Sequence, residues 1–261
     1  MRFKEQAKNM ALATGLYRLI RTLIGSKETR LARTNMGELI SSLLPNGSLV
    51  FDIGADIGAF SEVYARAGFK VVAVEPNPQS AARLRLMTDG LPVSVVEAAV
   101  GAKCGLATLH ISEKIAPTST LSNSFMTRME DSNEKFKGNW HRRLVVPTVT
   151  LDTLVTHFGQ PAYIKIDVEG YEIEVLRGLS SQPPLLSFEY HDADLQAAYE
   201  CVDRFLPDSE FNRITNSGWG YHEKLDFKKW LSRENLKNEL SALSKSNIEG
   251  DIFVRRNGSS N

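Results

Sequence analysis

Residues 49–75 read LVFDIGADIGAFSEVYARAGFKVVAVE, and this stretch decides the fold. An apolar run ends at Asp52, a turn with Gly54 and Gly58 follows, and a helical pattern leads into a second apolar run that ends at Glu75. Glycines let a backbone approach a ligand closely, and the N-terminus of the next helix faces that ligand. An acid at the end of the second strand can accept two hydrogen bonds from a ribose diol. The stretch therefore predicts a nucleoside-cofactor site.

The turn departs from the dinucleotide-binding fingerprint G-x-G-x-x-G. The middle glycine of that motif is replaced by Asp56, whose charge would repel a pyrophosphate. Such a turn suits a ligand that lacks phosphate and carries a cationic centre, as S-adenosylmethionine does. The ammonium group of that cofactor would be favourable near Asp52. A structural alternative stays open, in which the turn belongs to an α/β domain that binds no cofactor.

Strand and helix patterns alternate along most of the chain. The pattern predicts strands at residues 48–51, 70–74, 93–98, 162–166, 185–190, 210–215 and 252–255. It predicts helices at residues 60–67, 78–87, 151–158, 171–176, 193–205 and near 228–243. Extra strands at 108–111 and 143–149 flank a polar loop at 112–139. Alternating elements predict an α/β three-layer sandwich with a mostly parallel sheet, whose ligands bind outside the carboxyl ends of the strands.

Composition limits the classes of protein that fit. The chain has 261 residues, 42% apolar and 24% charged, which suits one α/β domain with extensions. We expect a helical extension over 1–46, the main domain over 47–256 and a disordered tail over 257–261. Because 31 basic residues balance 31 acidic ones, a broad nucleic-acid surface is not expected. Two cysteines without metal or redox spacing indicate reduced thiols in a cytoplasmic protein.

The N-terminal segment differs in charge from the rest. Residues 1–34 hold eight of the Lys and Arg residues but only two Glu residues. Residues 10–24 form an amphipathic helical pattern that is too interrupted to span a membrane and has no clean signal-peptide core. Two interpretations stay open. The helix either docks its apolar stripe on the domain or makes a peripheral contact with an anionic membrane.

Polar side chains interrupt two strands that should be apolar on both faces. Lys165 and Asp167 alternate with isoleucines in one strand, and Glu189 and His191 alternate with aromatic residues in the next. If these strands are neighbours, the four side chains form a cluster at the carboxyl end of the sheet. Buried charges must be paired or used. The alternative is a purely structural ion pair between Lys165 and Asp167 or Glu189.

The chain resembles the FkbM family of S-adenosylmethionine-dependent methyltransferases. The matching motifs are FDIGADIGAFSE (51–62), VEPNP (74–78), VPTVTLDTL (146–154) and IKIDVEGYEIEVLRGL (164–179), within a resemblance that covers roughly residues 48–190. The resemblance implies a class I methyltransferase (Rossmann-like) fold, with a seven-stranded sheet whose antiparallel last strand is supplied by 251–255. It also implies an O-methyltransferase acting on sugar or polyketide-type hydroxyls, with a small-molecule or glycan acceptor.

The resemblance also implies cofactor-binding residues. Four residues would line the methionine and ribose end: Asp52, Gly54, Ala55 and Gly58. Glu75 would hold the ribose hydroxyls, Asn77 would lie next to the adenosine, and Glu97 with Ala98 would flank the adenine. For Glu97, a solvated strand end is the simpler alternative.

A hydroxyl is a poor nucleophile, so a base or a metal should help to remove its proton. Asp167 is the first candidate base and His191 the second, with Glu189 completing the predicted catalytic set. A lone histidine is more often a hydrogen-bonded structural residue. Glu169 precedes a glycine at a helix start and is expected to cap that helix.

A divalent metal is a further alternative, which the spacing does not demand. Asp167, Glu189 and His191 could hold a magnesium-like ion, with substrate hydroxyls completing its shell. The favoured interpretation has no metal ligand. Residues 115–125 are rich in hydroxyls and could hydrogen-bond a glycan, close over the cofactor or form a plain surface loop. Trp140, beside His141, could stack on a sugar ring or serve as a buried anchor.

Three functional hypotheses follow from these observations. The first is a methyltransferase acting on a hydroxyl of a saccharide, glycolipid or related natural product. The second is a nicotinamide-dependent oxidoreductase, which Asp56 disfavours. The third is a non-catalytic scaffold that keeps the fold and the cofactor.

Overall fold

A computed structural model describes residues 27–112, 118–132, 137–138, 140–191, 194–216, 224–243 and 249–256. The predicted helix at 10–24 and the predicted disordered tail at 257–261 lie outside these residues, so their roles stay predictions. Within the described ranges, every helix is too short or too polar to cross a membrane.

Eight helices and eleven strands are found in the described residues. The helices are α1 (Lys27–Leu43), α2 (Ala59–Arg66), α3 (Pro78–Met87), α4 (Asn123–Ser132), α5 (Leu151–Phe158), α6 (Glu172–Arg177), α7 (Leu195–Asp203) and α8 (Arg233–Ser241). The strands are β1 (Leu49–Ile53), β2 (Lys70–Val74), β3 (Val93–Val96), β4 (Ala99–Val100), β5 (Gly105–Ser112), β6 (Thr118–Thr120), β7 (Arg142–Val149), β8 (Tyr163–Ile166), β9 (Leu185–His191), β10 (Ser209–Asn216) and β11 (Glu249–Arg256).

The central sheet has seven strands in the order β10-β11-β9-β8-β1-β2-β3. Every strand is parallel to the others except β11, which runs antiparallel to both β9 and β10. This topology confirms the predicted class I methyltransferase fold, with its antiparallel last strand. Because β8 lies beside β9, the condition for the predicted polar cluster is also met.

Alternate residues of the sheet face two helical layers. On one face, Phe51 and Ile164 pack with buried residues of α5, α6, α7 and α8. On the other face, Val50 and Tyr163 pack with buried residues of α1, α2 and α3. The alternation within β1 and β8 therefore builds the expected three layers. It also places Asp52 and Lys165 on the face covered by α1 and α2.

The predicted polar loop at 112–139 is wrong, because this segment contains β6 and α4. A small second sheet has the order β4-β7-β5-β6, and β6 extends it by pairing antiparallel with β5. Helix α4 begins after Ser122, whose Oγ accepts a hydrogen bond from the Phe125 backbone N–H at 3.1 Å. A serine three residues before Phe125 is an N-cap signal that the polar composition of the segment obscured.

Candidate active site

The glycine turn between β1 and α2 is fastened to the end of β2. The backbone N–H groups of Gly54 and Ala55 donate to the Val74 carbonyl at 2.9 and 3.0 Å. Gly54 has a φ of 80°, and a methyl group added to it would lie 1.7 Å from the carbonyl oxygen of Asp167. The turn therefore packs directly against the residue that follows β8. Sequence reasoning assigned these two segments separate roles, and the fold brings them into contact.

Gly54→Ala is expected to destabilise the protein far more than Gly47→Ala. Both glycines have the same left-handed φ (80° and 79°), so both variants carry the cost of about 1–2 kcal/mol for an L-residue in that region. A side chain at residue 47 would meet nothing within 4 Å, whereas one at residue 54 would meet backbone. Overpacking adds about 1–3 kcal/mol or more. Thermal unfolding of both variants measures the difference, and equal losses would show that the close packing at Gly54 is absent.

Glu75 is a buried carboxylate held in place by two backbone groups. Its Oε1 accepts from the N–H of Asn77 at 2.8 Å, and its Oε2 accepts from the N–H of Asp56 at 2.9 Å. Each carboxylate oxygen can accept a further hydrogen bond, so this fixed group can receive two ligand hydroxyls. Burial raises the pKa of Glu75 to about 7, although both N–H groups favour its charged form. These features fit the predicted contact with a ribose diol.

The raised pKa of Glu75 predicts a pH-dependent affinity for an adenosine ligand. Only the carboxylate offers lone pairs to both hydroxyls, so affinity should rise as the pH increases through about 7. Calorimetric titration with 5′-methylthioadenosine, which has the diol but no amino-acid group, measures this dependence. In Glu75→Gln the affinity should be lower by about 1.5–3 kcal/mol at pH 8 and flat with pH. An unchanged affinity in this variant would remove Glu75 from the binding site.

The raised pKa of Glu75 also makes folding stability depend on pH, and stability changes in the opposite direction to ligand affinity. The folded state holds the Glu75 proton more tightly than the unfolded chain, whose carboxyl has an ordinary pKa near 4.5. The contribution of Glu75 to the free energy of unfolding therefore falls as the pH rises from about 4.5 to about 7. A ligand that binds the carboxylate would offset this loss.

The remaining predicted adenosine contacts have different surroundings. The side-chain oxygen of Asn77 caps α3 by accepting from the Gln79 N–H, and its amide nitrogen donates to Ser119 Oγ at 3.3 Å. Ser119 lies in β6, so this bond joins the end of β2 to the segment between β5 and β7 that contains β6 and α4, here called the inserted segment. Ala98 is buried, whereas Glu97 is exposed and pairs with Arg85 at 2.9 Å. The surroundings of Glu97 favour the solvated strand end, and its contact with adenine stays a prediction.

A buried lysine lies between two of the predicted site carboxylates. Lys165 is only 2% exposed, and its ammonium donates to Asp167 Oδ2 at 2.6 Å. In the sheet register Lys165 stands beside Asp52, whose Oδ2 accepts a hydrogen bond from Ser61 Oγ at 2.5 Å. Burial raises the pKa of Asp52, and the charge of Lys165 opposes that shift. Lys165 therefore places one positive charge beside both Asp52, near the end of β1, and Asp167, the acid that follows β8.

A second cluster forms where β9 ends. His191 Nε2 lies 3.3 Å from Glu189 Oε2, and His191 Nδ1 lies 3.6 Å from Glu249 Oε2. Burial opposes protonation of His191, but the glutamates outweigh it and raise its pKa to about 10. At neutral pH His191 is therefore a charged hydrogen-bond donor. Glu169 joins this cluster, because one ligand atom from each of Glu169, Glu189 and His191 lies within 4.8 Å of the others.

These contacts revise two roles inferred from sequence. Glu169 has a left-handed φ of 56° and turns towards the His191 cluster. Helix α6 has no side-chain cap bond at its N-cap residue Tyr171, so the predicted capping role of Glu169 is wrong. Glu172 Oε1 instead accepts from the N–H groups of Val168 and Gly170, in the turn before the helix, at 3.2 and 3.1 Å. Among the residues that the structure describes, the group that could hold a divalent metal is Glu169, Glu189 and His191, without the predicted Asp167.

Sequence reasoning missed Asp251. It is buried in β11, where the register places it opposite Glu189. Burial raises its pKa to about 6, and the charge of Lys165 opposes the shift. The sequence did contain one indication, because Asp251 directly precedes the apolar run of a central strand.

The inserted segment covers the end of β8 and β9. Thr120 Oγ1 donates to the Glu169 carbonyl at 2.7 Å. Phe125 is buried against Gly170, where an added methyl group would lie 2.8 Å from its Cβ. The ring centroid of Phe125 also lies 6.1 Å from that of His191. The insertion therefore borders both the predicted cofactor site and the His191 cluster.

Comparison with known proteins decides which family has this arrangement. The family model described as the methyltransferase FkbM domain matches residues 52–215, which include the glycine turn, β8 and β9. The chain belongs to the FkbM methyltransferase family. Membership of a methyltransferase family supports the first of the three functional hypotheses.

One curated relative and two solved structures illustrate the similarity. Hexuronic acid methyltransferase AglP of Haloferax volcanii is 26% identical over 142 residues, which are 54% of this FkbM chain and 53% of that protein. The chain therefore spans about half the length of this relative. Magnesium protoporphyrin IX methyltransferase (ChlM) of Synechocystis PCC 6803, solved with bound SAM, is 11% identical with a TM-score of 0.45, covering 97% of this chain and 96% of that one. A TehB-like methyltransferase of Corynebacterium glutamicum is 10% identical with a TM-score of 0.44, covering 97% and 100%.

Proposed function

We propose that this enzyme methylates a hydroxyl of a saccharide or a related natural product, with Asp167 as the base. The contact between Gly54 and the Asp167 backbone carbonyl carries the proposal, because it brings the residue that bears the candidate base next to the turn predicted to hold the cofactor. AglP, named as a hexuronic acid methyltransferase, supports a sugar acceptor.

The residues present fit S-adenosylmethionine. Gly54 lets the turn pack closely against Asp167, Glu75 is fixed for a diol, and Asp52 is a buried acid near the expected ammonium. The site is rich in carboxylates, which suits a ligand with a sulfonium and an ammonium group. When bound, the cofactor supplies an electrophilic methyl group.

The protein must then orient the acceptor hydroxyl and take its proton. Lys165 holds Asp167 Oδ2, and we assign the hydroxyl proton to Oδ1 of the same side chain. Asp167 is 26% exposed, so an acceptor can reach it, whereas Lys165 is buried behind it. His191, charged at neutral pH, is better suited to donate a hydrogen bond to the acceptor than to remove a proton. Orientation of this kind can supply about 7–11 kcal/mol of the barrier reduction.

A carboxylate of a uronic acid is a second conceivable oxygen acceptor, and the charge of the site disfavours it. Burial and repulsion from neighbouring carboxylates already raise the pKa of Glu169 and of Glu189, to about 7 for Glu189, so a further carboxylate beside them would meet the same penalty. A hydroxyl lacks this repulsion and gains from the nearby base. The site therefore favours formation of a methyl ether over a methyl ester.

The proposal is tested by incubating the enzyme with S-adenosylmethionine and a panel of acceptors. The panel contains glucuronic acid, glucose, a glucuronic acid–glucose disaccharide and a catechol. Mass spectrometry measures S-adenosylhomocysteine release, and mild alkali distinguishes a stable ether from an ester. We expect an alkali-stable product from a sugar. Release with the catechol alone, or an alkali-labile product, would contradict the proposal.

The same assay addresses the metal alternative. Glu169, Glu189 and His191 are the residues that would hold a divalent ion and could help to orient acceptor hydroxyls. His191 already has carboxylate partners in Glu189 and Glu249, at 3.3 and 3.6 Å, which can hold its ring in place without an ion. We therefore propose that turnover survives EDTA, and loss that is restored by Mg²⁺ would contradict this.

A further inference from the structure

A second cavity lies between α4 and the outward face of the small sheet. Its volume is about 310 Å³, which is within the range of small-ligand sites. Its lining includes His110, Asn123, Glu130, Trp140 and Arg143. Nothing in the proposed reaction uses these residues.

The cavity adjoins the candidate active site through one aromatic side chain. The Phe125 ring lies 6.3 Å from the Trp140 ring and 6.1 Å from the His191 ring, measured between centroids. Trp140 lines the cavity, and His191 belongs to the cluster at the end of β9. A ligand in the cavity would therefore lie beside the candidate active site and not in it. If the ligand is a chain of similar units, the neighbouring unit would lie near the residues that carry out the reaction.

The side chains of the cavity suit a polyhydroxylated ring. Glu130 and Arg143 are planar groups that can each bond a pair of neighbouring hydroxyls. His110 stands opposite Arg143 in the β5–β7 register, and burial together with that arginine lowers its pKa. It is therefore neutral at pH 7 and can both donate and accept. The indole Nε1 of Trp140 is buried without a hydrogen-bond partner among the described residues, so it is a donor still to be satisfied.

We propose that this cavity binds a second sugar residue of the acceptor, next to the residue that is methylated. The inference rests on the proposed function and adds that the acceptor is an oligosaccharide. An aromatic ring gives the apolar surface that a sugar face can cover, and the polar groups around Trp140 match its hydroxyls. A phosphate is disfavoured, because Glu130 shares the cavity with Arg143.

Calorimetry on the complex with S-adenosylhomocysteine tests the proposal without requiring turnover. The probes are the glucuronic acid–glucose disaccharide and methyl glucuronoside. The disaccharide should bind at least about tenfold more tightly, which corresponds to ~1.4 kcal/mol. Arg143→Gln and Trp140→Phe should remove this gain and leave the affinity for the monosaccharide unchanged. Trp140→Phe keeps an aromatic ring on Phe125 but lacks the N–H, so it limits effects on folding.

The outcomes separate this inference from the proposed function. Equal affinities for the two probes, or a gain that persists in both variants, would overturn the second-sugar site even if sugars are methylated. A gain that depends on Arg143 and Trp140 supports the site even if the methyl transfer assay fails. If neither probe binds, the site is rejected. Thr156→Ala, on the distant helix α5, is the control variant and should preserve the gain.

Discussion

Asp167→Asn is expected to lower kcat by about 10²–10⁴-fold, the range for loss of a general base. The amide keeps the size of the side chain and can still accept from Lys165, so the fold and the affinity for S-adenosylhomocysteine should change little. What is lost is the group that takes the hydroxyl proton. Steady-state kinetics with the best sugar acceptor, together with calorimetry on the cofactor product, measures both quantities.

Further variants show whether the loss of kcat is specific to Asp167. Asp203→Asn removes an exposed carboxylate far from the site and should leave kcat unchanged. Glu189→Gln and His191→Asn test the other members of the predicted catalytic set, and we expect smaller losses because neither packs against the glycine turn. If Asp167→Asn retains full turnover while Glu189→Gln does not, the base is Glu189 and the assignment is wrong.

Lys165→Met is expected to lower the free energy of unfolding by about 3–5 kcal/mol, the cost of breaking a buried ion pair. Methionine matches the stem of lysine but leaves Asp52 and Asp167 without their shared cation. The loss should shrink at acidic pH, where protonation removes the uncompensated charge. The kcat for methyl transfer should fall as well, because Asp167 loses the hydrogen bond from Lys165 that orients it.

The matched control is Lys237→Met. Lys237 also lies 2.7 Å from an aspartate, Asp203, but the two side chains are 30% and 52% exposed. Exposed pairs contribute about 0–1 kcal/mol, so this variant should be nearly as stable as the parent protein. Urea unfolding of both variants at pH 7 and pH 5 provides the comparison. Similar losses for the two variants would show that Lys165 neutralises no buried charge.

The fold was predictable because its signals are local. The run from Leu49 to Glu75 contains a strand, a glycine turn, a helix and a second strand in consecutive residues. Likewise, Lys165 and Asp167 alternate within one strand, so a shared face follows from the strand period. Both observations survive in the structure, where β8 lies between β1 and β9.

The details of the site were less predictable because they depend on contacts between distant segments. Ser119 reaches Asn77 and Phe125 reaches Gly170 only after β6 pairs with β5. The departure of Glu169 from its predicted capping role depends on a single left-handed residue in a turn. Neither event leaves a periodic pattern in the sequence.

A crystal structure of the protein with S-adenosylhomocysteine tests the central claim most directly. We predict that the ribose hydroxyls bond to Glu75, that the amino-acid end lies near Asp52, and that the sulfur faces the carboxylate of Asp167. A ligand whose sulfur points away from Asp167, or a folded protein with no affinity for this compound, would contradict the account.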